Sequence, residues 1–184
     1  MCPPGFDVLH IPRITGRGGG VALVFRTCFK ASLQPSVQYN SIEYMEVLLT
    51  CNSDTYRIFV IYRPPSSSKN NVKFSDFIEE FNNMLEKSIL SSGKLLIVGD
   101  FNIHCDVTLN ADTLKFRDLS KEYVLIQHIS ESTHKCGHTL DLVITRNQSD
   151  VNNLNIADPL LSDHSMISFS FHFSAPKIHT LSEM

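Results

Sequence analysis

Apolar residues fall in two patterns along this chain: short continuous or alternating runs, and one long stripe at helical spacing. The run Leu95–Val98, bounded by Ser91-Ser92-Gly93 and by Gly99, has the length and composition of a strand buried on both faces. Val21–Phe25, Ile42–Leu49, Tyr56–Tyr62 and Thr139–Thr145 predict further strands, with Glu43 and Glu46 on the wetter positions of theirs. The short turn Asn52-Ser53-Asp54 joins two of them into a hairpin. Tyr62-Arg63-Pro64-Pro65 closes the second, because proline brings no N–H to the ladder. Val124–Ile129 and Val151–Ile156 are shorter candidates. In 166–173, Ile167, Phe169, Phe171 and Phe173 alternate with Met166, Ser168, Ser170 and His172, the pattern of a half-buried strand. The helical stripe is Phe74, Phe77, Ile78, Phe81, Met84 and Leu85. Ser75 is its expected N-cap, Gly93 its terminator, and Asp76, Glu79 and Glu80 lie early, where the helix dipole favours them. Residues 112–123 predict a shorter helix with Leu114, Phe116 and Leu119 as its apolar positions.

Residues 1–16, with Pro3, Pro4 and Pro12, are expected to be irregular, and 174–184 to be a disordered tail, which leaves one domain over 1–173. Strands dominate and two helices intervene. The fold class expected is α+β, a two-layer β-sandwich flanked by helices.

The bulk numbers narrow the partners. A length of 184 residues, 42% hydrophobic and 19% charged, suits one ordinary globular domain, expected to be a monomer. A net charge of −3 excludes a global basic field, so any nucleic-acid contact must come from a local patch. The five cysteines are scattered, without a CxxC, which suits reduced thiols. Met1-Cys2-Pro3-Pro4 opens no apolar signal region, and no run approaches membrane-spanning length. A nuclear or cytoplasmic protein, not secreted and without a membrane partner, is the expectation.

The chemistry gathers where strands end. Asp100 and Asn102 follow Gly99, two residues apart, and an extended chain points both the same way. A carboxylate can hold a hard cation or orient a water, and a carboxamide donates to a phosphate oxygen without adding negative charge. An Asx turn with no chemistry is the plain alternative. Asp141 stands inside an apolar run, where an unpaired carboxylate costs several kcal/mol, so a histidine or a metal is its expected partner. Asp163-His164 sits at the mouth of the last strand, and Tyr62 and Arg63 at the end of another. Tyr62, Asp100, Asn102, Asp141, Asp163 and His164 are therefore expected along one rim. Gly16-Arg17-Gly18-Gly19-Gly20 could cradle a phosphate, but it lacks the P-loop and dinucleotide spacings and reads better as a tight lead-in to a strand. His134-Lys135-Cys136-Gly137-His138, with His104-Cys105, offers zinc-capable side chains at no standard spacing, and a polar hairpin is the preferred reading.

Five motifs occur in order: Gly16–Val24, Val60–Pro65, Gly99-Asp100-Phe101-Asn102, Gly137–Ile144 and Leu161–Ser165. Together they resemble the endonuclease/exonuclease/phosphatase superfamily, within it the apurinic-type endonuclease domain of non-LTR (LINE-type) retrotransposons. The resemblance implies a DNase I-like fold and magnesium-assisted phosphodiester hydrolysis, with Mn2+ as the alternative ion, nicking DNA to leave a 3′-hydroxyl. It implies that Asp100 deprotonates the attacking water, Asn102 holds a phosphate oxygen and His164 stabilises phosphoryl charge. Asp141 would fix the His164 tautomer, Asp163 would assist metal or water positioning, and Tyr62 would meet the phosphate or the leaving oxygen. Asp163 and Asp100 are the implied metal ligands, and Arg63 and Arg17 the candidate DNA contacts. Pro65 stands where several relatives carry a DNA-contacting asparagine. The family also places an asparagine and a metal-binding glutamate on two strands before the glycine-rich segment. Before Glu43 the only acidic residue here is Asp7, so missing first strands and impaired catalysis are expected, in a fragment of a longer element. A catalytically inactive remnant that binds nucleic acid or protein, and a phosphatase of the same superfamily, are the alternative functions.

Overall fold

The computed structural model describes residues 2–13, 19–51, 54–66, 72–89 and 93–171. The expected tail lies outside these residues, as do Arg17, Asn52, Ser53 and Phe173. In chain order the elements are β1 (Phe6–Ile11), β2 (Val21–Arg26), β3 (Lys30–Leu33), β4 (Glu43–Cys51), β5 (Asp54–Tyr62), α1 (Phe74–Ile89), β6 (Lys94–Asp100), α2 (Ala111–Glu122), β7 (Ile126–Gln127), β8 (Asp141–Thr145), β9 (Val151–Ala157) and β10 (Met166–Phe171).

A six-stranded sheet in the order β3-β4-β5-β6-β8-β7 forms the middle of the molecule. The β4–β5 hairpin is the one its turn predicts, with Cys51 opposite Asp54. β6 runs parallel to β5 and antiparallel to β8, and its apolar run is buried from both sides as its composition requires. Alternation sorts its neighbours to two faces. Phe59, Ile61, Leu95, Ile97, Leu142 and Ile144 meet Phe77, Phe81, Phe116 and Leu119 of the helices. Tyr56, Ile58, Leu96 and Val143 face the other way, against Leu23, Phe25, Leu154, Ile156, Ile167 and Phe169. The second layer of the sandwich is thus two separate two-stranded ladders, β1–β2 and β9–β10. Among the described residues both helices cover the opposite face of the large sheet rather than flanking both layers.

Two local expectations need correction. Residues 6–11 form a strand rather than an irregular lead, because the β1–β2 ladder packs Leu9 and Ile11 on Val21, Met45 and Val47. Ser75 lies inside the first turn of α1, where its hydroxyl donates to Asp76, and Gly93 lies just before β6 rather than capping the helix. Glu43 and Glu46 do take less buried positions of β4, where Arg13 and Arg57 pair with them.

The register fixes the rim. Glu43, Tyr62, Asp100 and Asp141 lie opposite one another on β4, β5, β6 and β8, a single row across the sheet. Their neighbours in sequence, Tyr44, Ile61 and Leu142, belong to the helix-side core, so the row faces the hairpin side. Gly99 makes the last step of β6 possible. Its φ is +142°, and a Cβ there would run into the Ile61 carbonyl of β5. Phe101 then turns back to the helices, fully buried and edge-on to Phe77 (6.3 Å, 84°) and Phe81 (5.9 Å, 88°). That anchor holds the loop on which Asp100 and Asn102 sit, and burying such a ring is worth about 3–5 kcal/mol.

Candidate active site

Asp100 and Asn102 meet, though not by the extended geometry their spacing suggests. Asn102 has a φ of +48°, which folds it back on Asp100. The Asn102 backbone N–H donates to Asp100 Oδ1 (3.0 Å), and its side-chain amide donates to Asp100 Oδ2 (3.0 Å) and to the Arg63 carbonyl (2.8 Å). An Asx turn is therefore present, and it serves to orient the carboxylate. Burial pushes the Asp100 pKa above the ordinary aspartate value. The Asn102 N–H opposes this, and the Asp141 charge adds to it.

Arg63 holds the loop from beneath. It is 3% exposed, and its guanidinium lies 5.2 and 5.3 Å from the Phe74 and Phe77 rings. Nη1 donates to the carbonyls of Phe101 (3.1 Å) and Asn102 (3.0 Å), and Nη2 to the Ser66 hydroxyl (3.1 Å). The expected DNA contact at Arg63 is corrected on that ground: a charge this deep cannot reach a duplex, and it acts by fixing Asn102. Its neighbours Pro64 and Pro65 make it look like a surface residue in sequence. Arg63→Lys should lower stability by about 2–3 kcal/mol, because one ammonium cannot reproduce the planar fork and leaves a buried acceptor bare. The check is a lower urea midpoint at unchanged slope.

On β8, Asp141 Oδ2 lies 2.8 Å from His164 Nδ1, the partner its buried position demands. Thr133, fully buried, accepts the N–H groups of Leu140 (2.9 Å) and Asp141 (3.0 Å), and so pins the strand end. Burial lowers the His164 pKa, but the Asp141 hydrogen bond and the charges of Asp141, Asp100 and Asp163 outweigh it, and the net shift is upward. Asp100, Asp141 and His164 each bring a donor atom within 4.8 Å of the others. The sequence reading thus places Asp100, Asn102, Asp141 and His164 together correctly. Tyr62 stands one strand away in the same row, with the Arg13 guanidinium 5.5 Å over its ring.

Two features of the rim escape sequence reading. Glu43 accepts from Arg13 Nε (2.5 Å) and from the Gly20 N–H (2.5 Å), which ties the glycine-rich loop to the sheet beside Tyr62. The second is His134. Its backbone bridges that of His164, its ring packs edge-on to the His164 ring (5.0 Å, 74°), and its Nε2 lies 3.5 Å from Asp163 Oδ2. The zinc-capable motif is thereby divided. His138 instead pairs with Asp106 (3.0 Å) and stacks on His104 (4.0 Å), and Cys136 is exposed. Asp163 is itself exposed, between His134 and Lys135, and a hydrogen bond from its own backbone N–H, with the Lys135 charge and the His134 ring beside it, holds its pKa low.

Carboxylates and an imidazole gathered at one rim are donor chemistry that suits a divalent cation. Mg2+ takes one or two carboxylates and keeps water or substrate oxygens for the rest. The donor groups here are Asp100–Asp141–His164 and His134–Asp163–His164, so Asp100 and Asp163 stand in separate groups joined at His164.

Residues 56–168, more than half of the chain, match the family described as endonuclease-reverse transcriptase. Among solved structures, the endonuclease domain of TRAS1, a telomere-specific non-LTR retrotransposon, is similar at a TM-score of 0.71 and 16% identity, over 91% of this chain and 78% of that one. TDP2 from D. rerio, complexed with single-strand DNA product, is similar at a TM-score of 0.61 and 12% identity, over 92% and 78%. The mannosyl-6-phosphatase Bt3783 of Bacteroides thetaiotaomicron gives a TM-score of 0.60 and 15% identity, over 92% and 78%. No curated protein matches in sequence.

Proposed function

We propose that this chain, which belongs to the endonuclease-reverse transcriptase family of the endonuclease/exonuclease/phosphatase superfamily, nicks DNA by hydrolysing a phosphodiester and leaves a 3′-hydroxyl. The observation that carries the reading is the oriented pair His164 Nδ1–Asp141 Oδ2, set beside a carboxylate, Asp100, whose two oxygens are aimed by Asn102. With Nδ1 held by Asp141, His164 has Nε2–H free to donate to a phosphoryl oxygen and to carry positive charge there. Asp100 takes the proton of the attacking water. Asn102 holds Asp100 in place and presents its amide beside a phosphate oxygen, and Tyr62 meets the phosphate or the leaving oxygen. Asp163 assists in positioning. Asp100 and Asp163, in the two donor groups joined at His164, would hold Mg2+, or Mn2+ in its place, and the ion would supply neutralisation of charge on the phosphoryl oxygens. Two carboxylates are a sparse set for that ion, which supports a slow enzyme that needs millimolar Mg2+.

Plasmid nicking and end-group analysis test this reading against a phosphatase. The expected product is a nicked circle that a DNA polymerase extends without prior phosphatase treatment. Release of inorganic phosphate from p-nitrophenyl phosphate, with the plasmid intact, would move the function to small phosphate esters.

The two shifted groups set a pH profile. Asp100 works ionised, above its raised pKa, and His164 works protonated, below its raised pKa, so the rate should be bell-shaped. Asp141→Asn removes the charge that raises the His164 pKa. The alkaline limb should then move to lower pH while the acid limb stays or moves slightly down, as read from single-turnover nicking between pH 5 and 9. An unmoved alkaline limb would detach His164 from that limb.

A further inference from the structure

His134 is not among the residues the proposed reaction uses, yet the fold brings it to the same phosphate-binding place. Its backbone is locked by a short ladder. Lys135 N donates to the Asp163 carbonyl (2.9 Å), Ser165 N to the Thr133 carbonyl (2.8 Å), and His134 N to the His138 carbonyl (3.1 Å). These bonds hold the loop of residues 133–138 against residues 163–165, so the two imidazoles meet edge to face by construction.

The tautomer of His134 follows from its partners. The Cys136 backbone N–H donates to His134 Nδ1 (3.2 Å). A ring nitrogen that accepts carries no hydrogen, so the hydrogen is on Nε2. That excludes Nε2 as a metal ligand in this arrangement, although His134, Asp163 and His164 lie close enough to enclose an ion. It makes Nε2–H a donor instead. Asp163 Oδ2 is 3.5 Å away, a long contact for a hydrogen bond. The donor's contact with Asp163 is long, so an acceptor placed closer can take it over.

We propose that His134 is a second phosphate-contacting histidine: its Nε2–H donates to a non-bridging oxygen of the phosphate that His164 contacts. This inference rests on the phosphodiesterase reading for its substrate, and its test does not require turnover. Cys136 acts through its main chain, so its side chain is free to vary.

The first experiment titrates inorganic phosphate into the 184-residue chain and follows the imidazole nitrogens by 15N NMR. The free protein should show His134 protonated at Nε2, and phosphate should shift its Nε2–H together with that of His164. His134 protonated at Nδ1, or no His134 shift while His164 responds, would overturn the inference. The second compares variants in plasmid nicking. His134→Phe keeps the ring and loses the donor, and kcat/KM should fall about 10- to 100-fold. His134→Gln, which retains an N–H donor, should recover most of that loss, as packing alone would not. Wild-type rates in His134→Phe would sink the inference and leave the nuclease reading intact. No nicking by the wild type would sink the nuclease reading, and the phosphate titration would still decide the role of His134.

Discussion

Asp100→Asn should slow nicking on the order of 10³-fold at saturating Mg2+ without unfolding the protein. The substitution conserves shape. An asparagine carbonyl at position 100 still accepts the Asn102 backbone N–H, so the turn survives. What is lost is the basic oxygen that takes the proton of water and the negative charge that helps hold the cation. Loss of a positioned general base alone is worth about 10²- to 10⁴-fold, and loss of cation affinity adds to it at low Mg2+. The fall should therefore be larger at 1 mM than at 20 mM Mg2+, concentrations chosen on the order of those that load a weak oxygen site. Single-turnover nicking measures it, with circular dichroism as the control for folding. A fall of less than about tenfold would remove Asp100 from the chemistry.

Among the glycines of the described residues, Gly99→Ala should be the most destabilising alanine substitution, at about 3–5 kcal/mol. Gly99 sits on β6, between β5 and β8, at a φ of +142° that side chains rarely adopt, and a methyl group would collide with the backbone carbonyl of Ile61. Strain at such a backbone angle costs about 1–3 kcal/mol, and the collision adds a shift of the central ladder that carries Asp100. Against a total stability of about 5–15 kcal/mol, a loss of this size shows as a large drop in the urea midpoint. Gly137→Ala is the internal comparison. Its φ is +84° with nothing within 4 Å of the added Cβ, so only the strain applies, about 1 kcal/mol. Equal losses for the two would mean that the β5 carbonyl yields more easily than the geometry implies.

The parts of the fold that sequence reveals are those whose signal is local. The Leu95–Val98 run, the α1 phenylalanine stripe and the β4–β5 turn state their own structure through period and punctuation. β1 does not. Asp7 and His10 interrupt its apolar positions and prolines bracket it, and only the β2 ladder makes it a strand. The division of the second layer into two ladders is likewise a matter of pairing, which no single segment encodes. The site divides along the same line. Asp100 and Asn102 are legible because they share one turn, and Asp141 because an isolated carboxylate in an apolar run demands a partner. Arg63 misleads, because proline neighbours suggest a surface loop while the guanidinium is drawn under the site by two carbonyls. In sequence His134 reads as part of a polar hairpin with incidental zinc-capable side chains. Its real neighbours, Asp163 and His164, come from a distant loop, and a backbone bridge, not spacing, brings them together.

The most direct test of the central claim is conversion of supercoiled plasmid to nicked circle by the purified, folded chain, with Mg2+ or with EDTA, beside Asp100→Asn and His164→Ala. The expected result is nicking that requires Mg2+ and is lost in both variants. An intact plasmid with the folded wild type, or nicking that persists in both variants, would contradict the claim that this rim is a phosphodiesterase site.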